Sequence, residues 1–406
     1  MRNAAAGAAH NRQRAPVTSR AVWAIGFGQL VNWGVLYYAF GVLLVPLERA
    51  LSAPRWLVAG AFSVGLLVSA LVAPAAGRLA DRGQGPVVMQ AGGFIAAGLL
   101  IVWGLVPSIW ITYIVWAGLG LCMATILYEP VFAVVGRAFG DAESRLRAIA
   151  TVTVMGGLAS TAFLPGTSML VDWAGWRGAV FALAVVIAVT TMLVSRIAFR
   201  EHAWSSDEIR VALLGSGRAA AAHHPLPGLS RLVTAFSLSS IVNSALASNI
   251  VAALIERRLS PSRAAMIGGL FGVMQLPGRL LMTRSSFMPS PLALLVASFG
   301  LQVVGLAALM AEGSQAAMWT GVTVFACGAG LTTLARPYLV LQAYGAGRAG
   351  AANGAIARGQ QLARAVGPVS AAVLAEGTSY RSVFGLLAIL VLASLVIAWP
   401  QTRIGK

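Results

Sequence analysis

Twelve apolar runs, each long enough to cross a bilayer, follow one another along this chain. They cover about 21–47, 56–80, 87–106, 109–137, 147–171, 178–199, 230–254, 264–283, 291–311, 316–343, 353–375 and 383–400. About 20 apolar residues in helical form span the hydrocarbon core of a membrane. Hydrocarbon offers no partner to a backbone N–H or C=O, so runs of this length fold as helices that satisfy themselves. Composition closes the soluble alternative: 58% of the 406 residues are hydrophobic and 10% charged, against about 25% charged in a soluble domain. The fold class expected is an all-α polytopic membrane protein with twelve transmembrane helices.

The formal charge of +17 would suggest nucleic acid in a soluble protein. Here the arginines sit at the ends of the apolar runs, and orientation explains them. With the N-terminus inside, the inner side receives Arg2, Arg12, Arg14, Arg20, Arg78, Arg82, Arg137, Arg145, Arg147, Arg196, Arg200, Arg210, Arg218, Arg231, Arg284, Arg348, Arg403 and Lys406. The outer side receives Arg49, Arg55, Arg177, Arg257, Arg258, Arg263 and Arg381. This positive-inside bias places both termini in the cytoplasm. Residues 1–19 are predicted to form a disordered tail; the long run after Arg20 lacks a small-residue cleavage site, so no signal peptide is read there. Cys122 and Cys327 fall within spans and read as small packing residues.

The second half restates the first. Leu51-Ser52-x-x-Arg55 recurs as Leu259-Ser260-x-x-Arg263, and Gly77-Arg78-Leu79 as Gly278-Arg279-Leu280. Val31-Asn32 with Leu47-Glu48-Arg49 is echoed by Val242-Asn243 with Ile255-Glu256-Arg257. Glu129-Pro130 recurs as Arg336-Pro337, and Pro165 with Trp176-Arg177 as Pro368 with Tyr380-Arg381. Five pairs in one order indicate two pseudo-symmetric six-helix halves, 20–199 and 229–400. The hydrophilic stretch 200–228 joins them, and 401–406 is a short C-terminal tail.

Between the second and third runs lies Gly77-Arg78-Leu79-Ala80-Asp81-Arg82-Gly-Gln-Gly85-Pro86. Its Gly77, Leu79, Asp81 and Arg82 resemble the signature between helices two and three of the major facilitator superfamily. The usual form has glycine where Gln84 stands, and Gly85 follows one place later. Gln29-Leu-Val-Asn-Trp33 with Tyr37 and Tyr38, Tyr128-Glu129-Pro130-x-Phe132, Gly175-Trp176-Arg177-Gly178 and Ala363-Arg364-Ala365-x-Gly367-Pro368 resemble bacterial monocarboxylate-porter-like members of that superfamily. The resemblance covers Gln29 to about Trp399. It implies the major facilitator fold and a transporter whose central cavity is lined by helices one, four, seven and ten. It also implies that Gly77, Asp81, Arg82 and Gly85 form a gating turn, with Asp81 facing the start of helix eleven near Arg358, and Asp141 or Glu143 serving Arg82.

Ionisable groups deep in a span are costly and mark function. Glu129, two-thirds along the fourth run, is the clear intramembrane carboxylate, and Arg336 stands at matching depth in the tenth. Each precedes a proline that loosens its helix. The resemblance brings helices four and ten together near the inner gate, where Glu129 and Arg336 form a gating, proton-sensitive pair or a fixed structural one, or each has an unrelated partner. Gln360, Gln361 and Arg364 share a face of the eleventh helix. Arg364 is suited to hold a carboxylate with its two-pronged guanidinium, the alternative being that it snorkels or pairs with Glu129. Gln29, Asn32, Tyr37 and Tyr38, with Ser240, Asn243, Ser244 and Asn249, either line the cavity or hydrogen-bond between helices. Arg279 aligns with Arg78 near a helix end and is a reserve substrate contact.

Enzyme patterns fail. Gly83-x-Gly85 has neither a phosphate-binding lysine nor a preceding strand. His202, His223 and His224 have no metal spacing. The expectation is a non-enzymatic secondary active transporter without cofactor, monomeric, in a bacterial inner membrane, working by alternating access. Its partners are protons, lipid and a small organic anion such as a monocarboxylate, with no nucleic acid. The alternatives are a proton-driven exporter of drug-like or toxic compounds and a non-transporting membrane sensor.

Overall fold

The computed structural model describes residues 19–106, 108–138, 142–199, 226–277, 290–311 and 314–400. The tail to residue 18, most of the linker, Arg279, Asp141 and residues 401–406 lie outside the described residues, as do the side chains of Asp81 and Glu143. Fourteen α-helices are described, and the first two run on through a π-helical turn at Gly34–Tyr38. α1 (Ser19–Trp33) and α2 (Ala39–Ala50) therefore make one span. α3 (Arg55–Leu79) and α4 (Gly85–Leu105) are single spans, while α5 (Ile109–Ile126) and α6 (Tyr128–Ala138) divide the fourth. α7 (Ala142–Gly157) and α8 (Ala159–Ile197) hold the fifth and sixth, which reverse at Gly175, where φ is 69°. The second half comprises α9 (Leu229–Glu256), α10 (Pro261–Val273), α11 (Pro291–Met310), α12 (Gln315–Tyr344), α13 (Ala346–Gly377) and α14 (Tyr380–Ala398).

Nine stretches of the described residues are long and apolar enough to cross a membrane. The count reconciles with twelve runs on physical grounds. Residues 147–197 join two runs as one stretch, α10 has only 13 residues and the end of its run lies outside the described residues, and α13 carries Asn353, Arg358, Gln360, Gln361 and Arg364. That polarity is what distinguishes a helix facing a partner across a cleft from one facing lipid.

Local chemistry fixes several helix starts. The side chains of Ser290 and Ser314 accept the backbone N–H three residues on, at 3.1 and 3.2 Å. Each satisfies one orphan donor of a first turn. Pro261 and Pro291 open their helices at positions where no N–H is required. Outward faces carry Phe94, Ile95, Ile114, Ile389 and Val396, all exposed, as a lipid-facing belt requires. Trp110 and Trp173 are exposed near one end of the bundle, and Trp23 and Trp399 near the other, the level at which an amphipathic indole meets headgroups.

We call the end where α1 begins the start face and the other the far face. The halves meet along α2 with α9, α3 with α13, and α8 with α10. α2 crosses α9 closely at Gly41, where an added Cβ would stand 3.0 Å from the Ala247 carbonyl oxygen. On α8 the Thr161 hydroxyl donates to Gly269 O at 2.8 Å and accepts from Val273 N–H at 2.9 Å.

Candidate functional site

The site begins with a missing hydrogen. Pro130 has no N–H, so the Ile126 carbonyl lacks its helical donor. The chain turns out of the helix at Leu127, with φ −83° and ψ −162°, and α6 restarts at Tyr128. Two side chains of α1 take the vacant acceptor: Gln29 Nε2 donates to Ile126 O at 2.7 Å and Asn32 Nδ2 at 3.3 Å. These two sequence candidates therefore tie the first span to the break in the fourth. Glu129 lands in the first turn of α6, where free N–H groups and the helix dipole favour a carboxylate. It is exposed, although it lies deep in its span. The related proline acts differently: α12 runs through Pro337 unbroken.

Facing Glu129 across the halves is α13. Gln361 Nε2 donates to Glu129 Oε1, and the preceding residue, Gln360, accepts from Arg336 Nη1 at 2.5 Å. The direct Glu129–Arg336 pair expected from the sequence is thus replaced by two successive glutamines, one holding each charge. Arg364, one turn on, lays its guanidinium over the Trp33 ring at 5.8 Å, a cation–π contact. Arg336 remains within electrostatic reach of both Arg364 and Glu129. Two donors here are buried and have no hydrogen-bond partner among the described residues, Arg336 Nε and Trp33 Nε1.

An aromatic wall backs these charges. The Trp33 ring meets Tyr37 edge-on at 5.4 Å and Tyr128 at 5.0 Å. Tyr128 and Phe132 stack at 5.0 Å with planes 11° apart. Tyr38 meets the buried Tyr37 ring at 5.1 Å. Sequence reasoning named Tyr37 and Tyr38 but passed over Trp33, Tyr128 and Phe132 as site residues. Their signal was present in the i, i+4 spacings of 33 with 37 and 128 with 132, which place each pair on one helical face.

The remaining candidates divide. Asn243 bonds within its own helix, Nδ2 to Ser239 O at 2.8 Å; Ser244 donates to Ile241 O at 3.1 Å; Ser240 is buried. Asn249 lies toward the far face, where its amide reaches Pro368 O at 3.3 Å. In the gating turn, Gly83 takes φ 82°, a left-handed conformation open to glycine at no steric cost. Gly85 serves packing, since a Cβ there would stand 2.3 Å from Val134 Cγ2, whereas Gly77 has open space. The turn packs on α3, α4 and α6 of its own half. Arg82 and Arg358 are exposed.

The far face holds a cluster that sequence reasoning treated only as part of the repeat. Arg55 Nε donates to Glu48 at 2.9 Å, and its Nη1 to Glu256 and, at 3.4 Å, to the Tyr380 hydroxyl. Tyr380 passes the chain on to Asn249 Oδ1 at 3.3 Å. Trp56 N–H donates to Glu376 at 3.0 Å, and Ser262 to Asp172 at 2.7 Å. Each of these last two bonds, like Arg55–Glu256, joins one half to the other. Glu48 and Glu256 are the repeat-related carboxylates, and one arginine holds both. The structure is therefore latched at the far face, while deep in the bundle Glu129 is exposed.

A family model described as Major Facilitator Superfamily matches residues 22–368. By sequence, no curated protein matches the chain. Among solved structures, a bacterial homologue of the human lysosomal transporter Spinster, inward-facing and unoccupied, is similar with a TM-score of 0.72, at 13% identity and covering 96% of this chain and 98% of that one. A peptide transporter, POT, in complex with alafosfalin gives 0.71 at 12% identity, covering 96% and 98%. The human organic anion transporter MFSD10 (TETRAN) gives 0.63 at 19% identity, covering 93% and 98%. With twelve spans in two related halves, broken and polar helices at mid-depth, and a family match over most of its length, this chain belongs to the major facilitator superfamily of membrane transporters.

Proposed function

We propose that the chain moves a small organic anion with a proton, by alternating access, across a bacterial inner membrane. The observation that supports this most is the composition of the cluster between the halves. Arg336 and Arg364 stand with one carboxylate, Glu129, and Arg336 lies within electrostatic reach of both the others. A positive excess in surroundings of low dielectric asks for a counter-anion. Glu129 is held by a neutral amide, so it can take a proton without breaking an ion pair. Protonation then weakens the bond to Gln361, which joins the halves.

In this reading the bodies that rock are 20–199 and 229–400, with 200–228 as the connecting linker, and the chain acts as a monomer with both termini cytoplasmic. The start face is the cytoplasmic one, so the conformation is inward-facing. Gly77, Asp81, Arg82, Gly85 and Arg358 form the latch that closes the start face when Arg55 releases the far one. Tyr37, Gln360 and Gln361 line the cavity beside the charges. Gln29, Asn32 and Asn243 shape it by fixing the helices that carry them.

The test is proton flux in proteoliposomes on addition of small carboxylates, read against protein-free liposomes. Carboxylate-dependent proton movement is expected for the wild type, with loss of proton movement in Glu129→Gln and loss of the carboxylate response in Arg364→Ala. Flux that survives both changes overturns the site. Silence toward every carboxylate, with a response to hydrophobic cations, replaces this reading by that of a proton-driven exporter.

A further inference from the structure

Resting on that reading of the two arginines as the anion's seat, we infer that the transported anion carries a planar aromatic group. Three observations converge. The rings of Trp33, Tyr128 and Phe132 form a continuous surface, with centroids 5.0 Å apart at each step. That surface is contributed by α1 and by α6, the helix that starts at the break beside Glu129, and the other half reaches it through Arg364 and Gln361. Arg364 stands over one end of it, and no hydrogen bond or ion pair is seen on its guanidinium among the described residues.

Around Arg364 the unspent hydrogen-bonding capacity is mainly that of donors, the Gln29 Oε1 acceptor one turn before Trp33 being the exception among the described residues. Trp33 Nε1 and Arg336 Nε are buried donors without an acceptor, and the guanidinium of Arg364 adds more. The Glu129 carboxylate already accepts from Gln361. A ligand completing the site therefore brings acceptors in a compact negative group, and guanidinium matches a carboxylate in two parallel hydrogen bonds. A small aliphatic acid satisfies Arg364 and leaves the aromatic surface facing water. An aryl acid bound through its carboxylate lays its ring against Trp33 and Tyr128, in offset or edge-on contacts of the kind already present there. Arg336 and Arg364 carry two positive charges against one on Glu129, so a monoanion brings the cluster to neutrality.

The experiment is ligand-induced thermal stabilisation of the purified full-length protein in detergent, with benzoate, phenylacetate, propionate and uncharged benzamide as probes. Expected is stabilisation by benzoate or phenylacetate at concentrations about tenfold below those at which propionate acts, and none by benzamide. Trp33→Leu and Tyr128→Leu are each expected to remove the preference, so that benzoate and propionate act at similar concentrations. Their midpoints without ligand report whether they remain folded. Equal action of aryl and aliphatic acids, or a preference that persists in both variants, overturns this inference and leaves the anion seat standing. Absence of any carboxylate effect, with Arg364→Ala indistinguishable from wild type, overturns the seat itself.

Discussion

Arg55 shows how much one side chain can hold. Only 12% of its side chain is exposed, against 29% for Glu48 and 46% for Glu256. The first carboxylate belongs to the same half and the second to the other, so the guanidinium is both anchored and bridging. Its planar fork allows this; a lysine offers a point charge without the fixed geometry. Exposure tempers the energy, because ion pairs open to solvent contribute about 0–1 kcal/mol each. Removal does more than delete those bonds, since Glu48 and Glu256 are then left as neighbouring like charges. Arg55→Ala is expected to raise the population with the far face open by about tenfold, equivalent to about 1.4 kcal/mol. Spin labels at Ser52 and Arg258, in a background lacking Cys122 and Cys327, measure this as a longer distance across the far face. An unchanged distance distribution would show that other contacts hold the latch.

Among the elements, α2 and α9 cross closely between the halves. Ala247 O and Ser248 O lie 3.0 and 3.3 Å from where a Cβ on Gly41 would stand. A methyl group fits with a small adjustment, but a longer side chain has nowhere to go in a packed interface. Gly41→Leu is therefore expected to insert and fold yet hold the far face apart, abolishing carboxylate-driven proton flux. Gly41→Ala is expected to retain it. Flux in the leucine variant at the wild-type rate would mean that this crossing does not close during transport. Spans were legible in the sequence because a bilayer imposes a length, and the repeat because both halves bury the same faces. Glu129, Gln361 and Arg364 were legible because charge and amide groups are rare at that depth. Glutamines interposed between Glu129 and Arg336 were not, because the partner of a side chain on α13 depends on the rotation of the helix. Gln29 and Asn32 read as free polar groups for the same reason, since nothing in α1 reveals that Pro130, about a hundred residues on, leaves a carbonyl for them. Arg55, Glu48 and Glu256 lie at span ends, where arginine and glutamate also occur simply to meet water.

At the scale of the whole molecule, the two halves share an ancestry of pattern but not a mechanical role. Their repeat places Glu129-Pro130 opposite Arg336-Pro337, yet the first proline divides its span and the second leaves α12 continuous. The span in the first half breaks at Leu127 beside an exposed Glu129, whereas α12 passes its proline without a break. This difference sets a clock that deuterium can read. Amides of residues 128–133 are expected to exchange about tenfold or more ahead of those of residues 334–340, because local opening starts where the helix is already interrupted. Matched exchange rates would make the halves mechanically alike; the expected disparity makes the first half the compliant partner and the second the rigid one against which it bends.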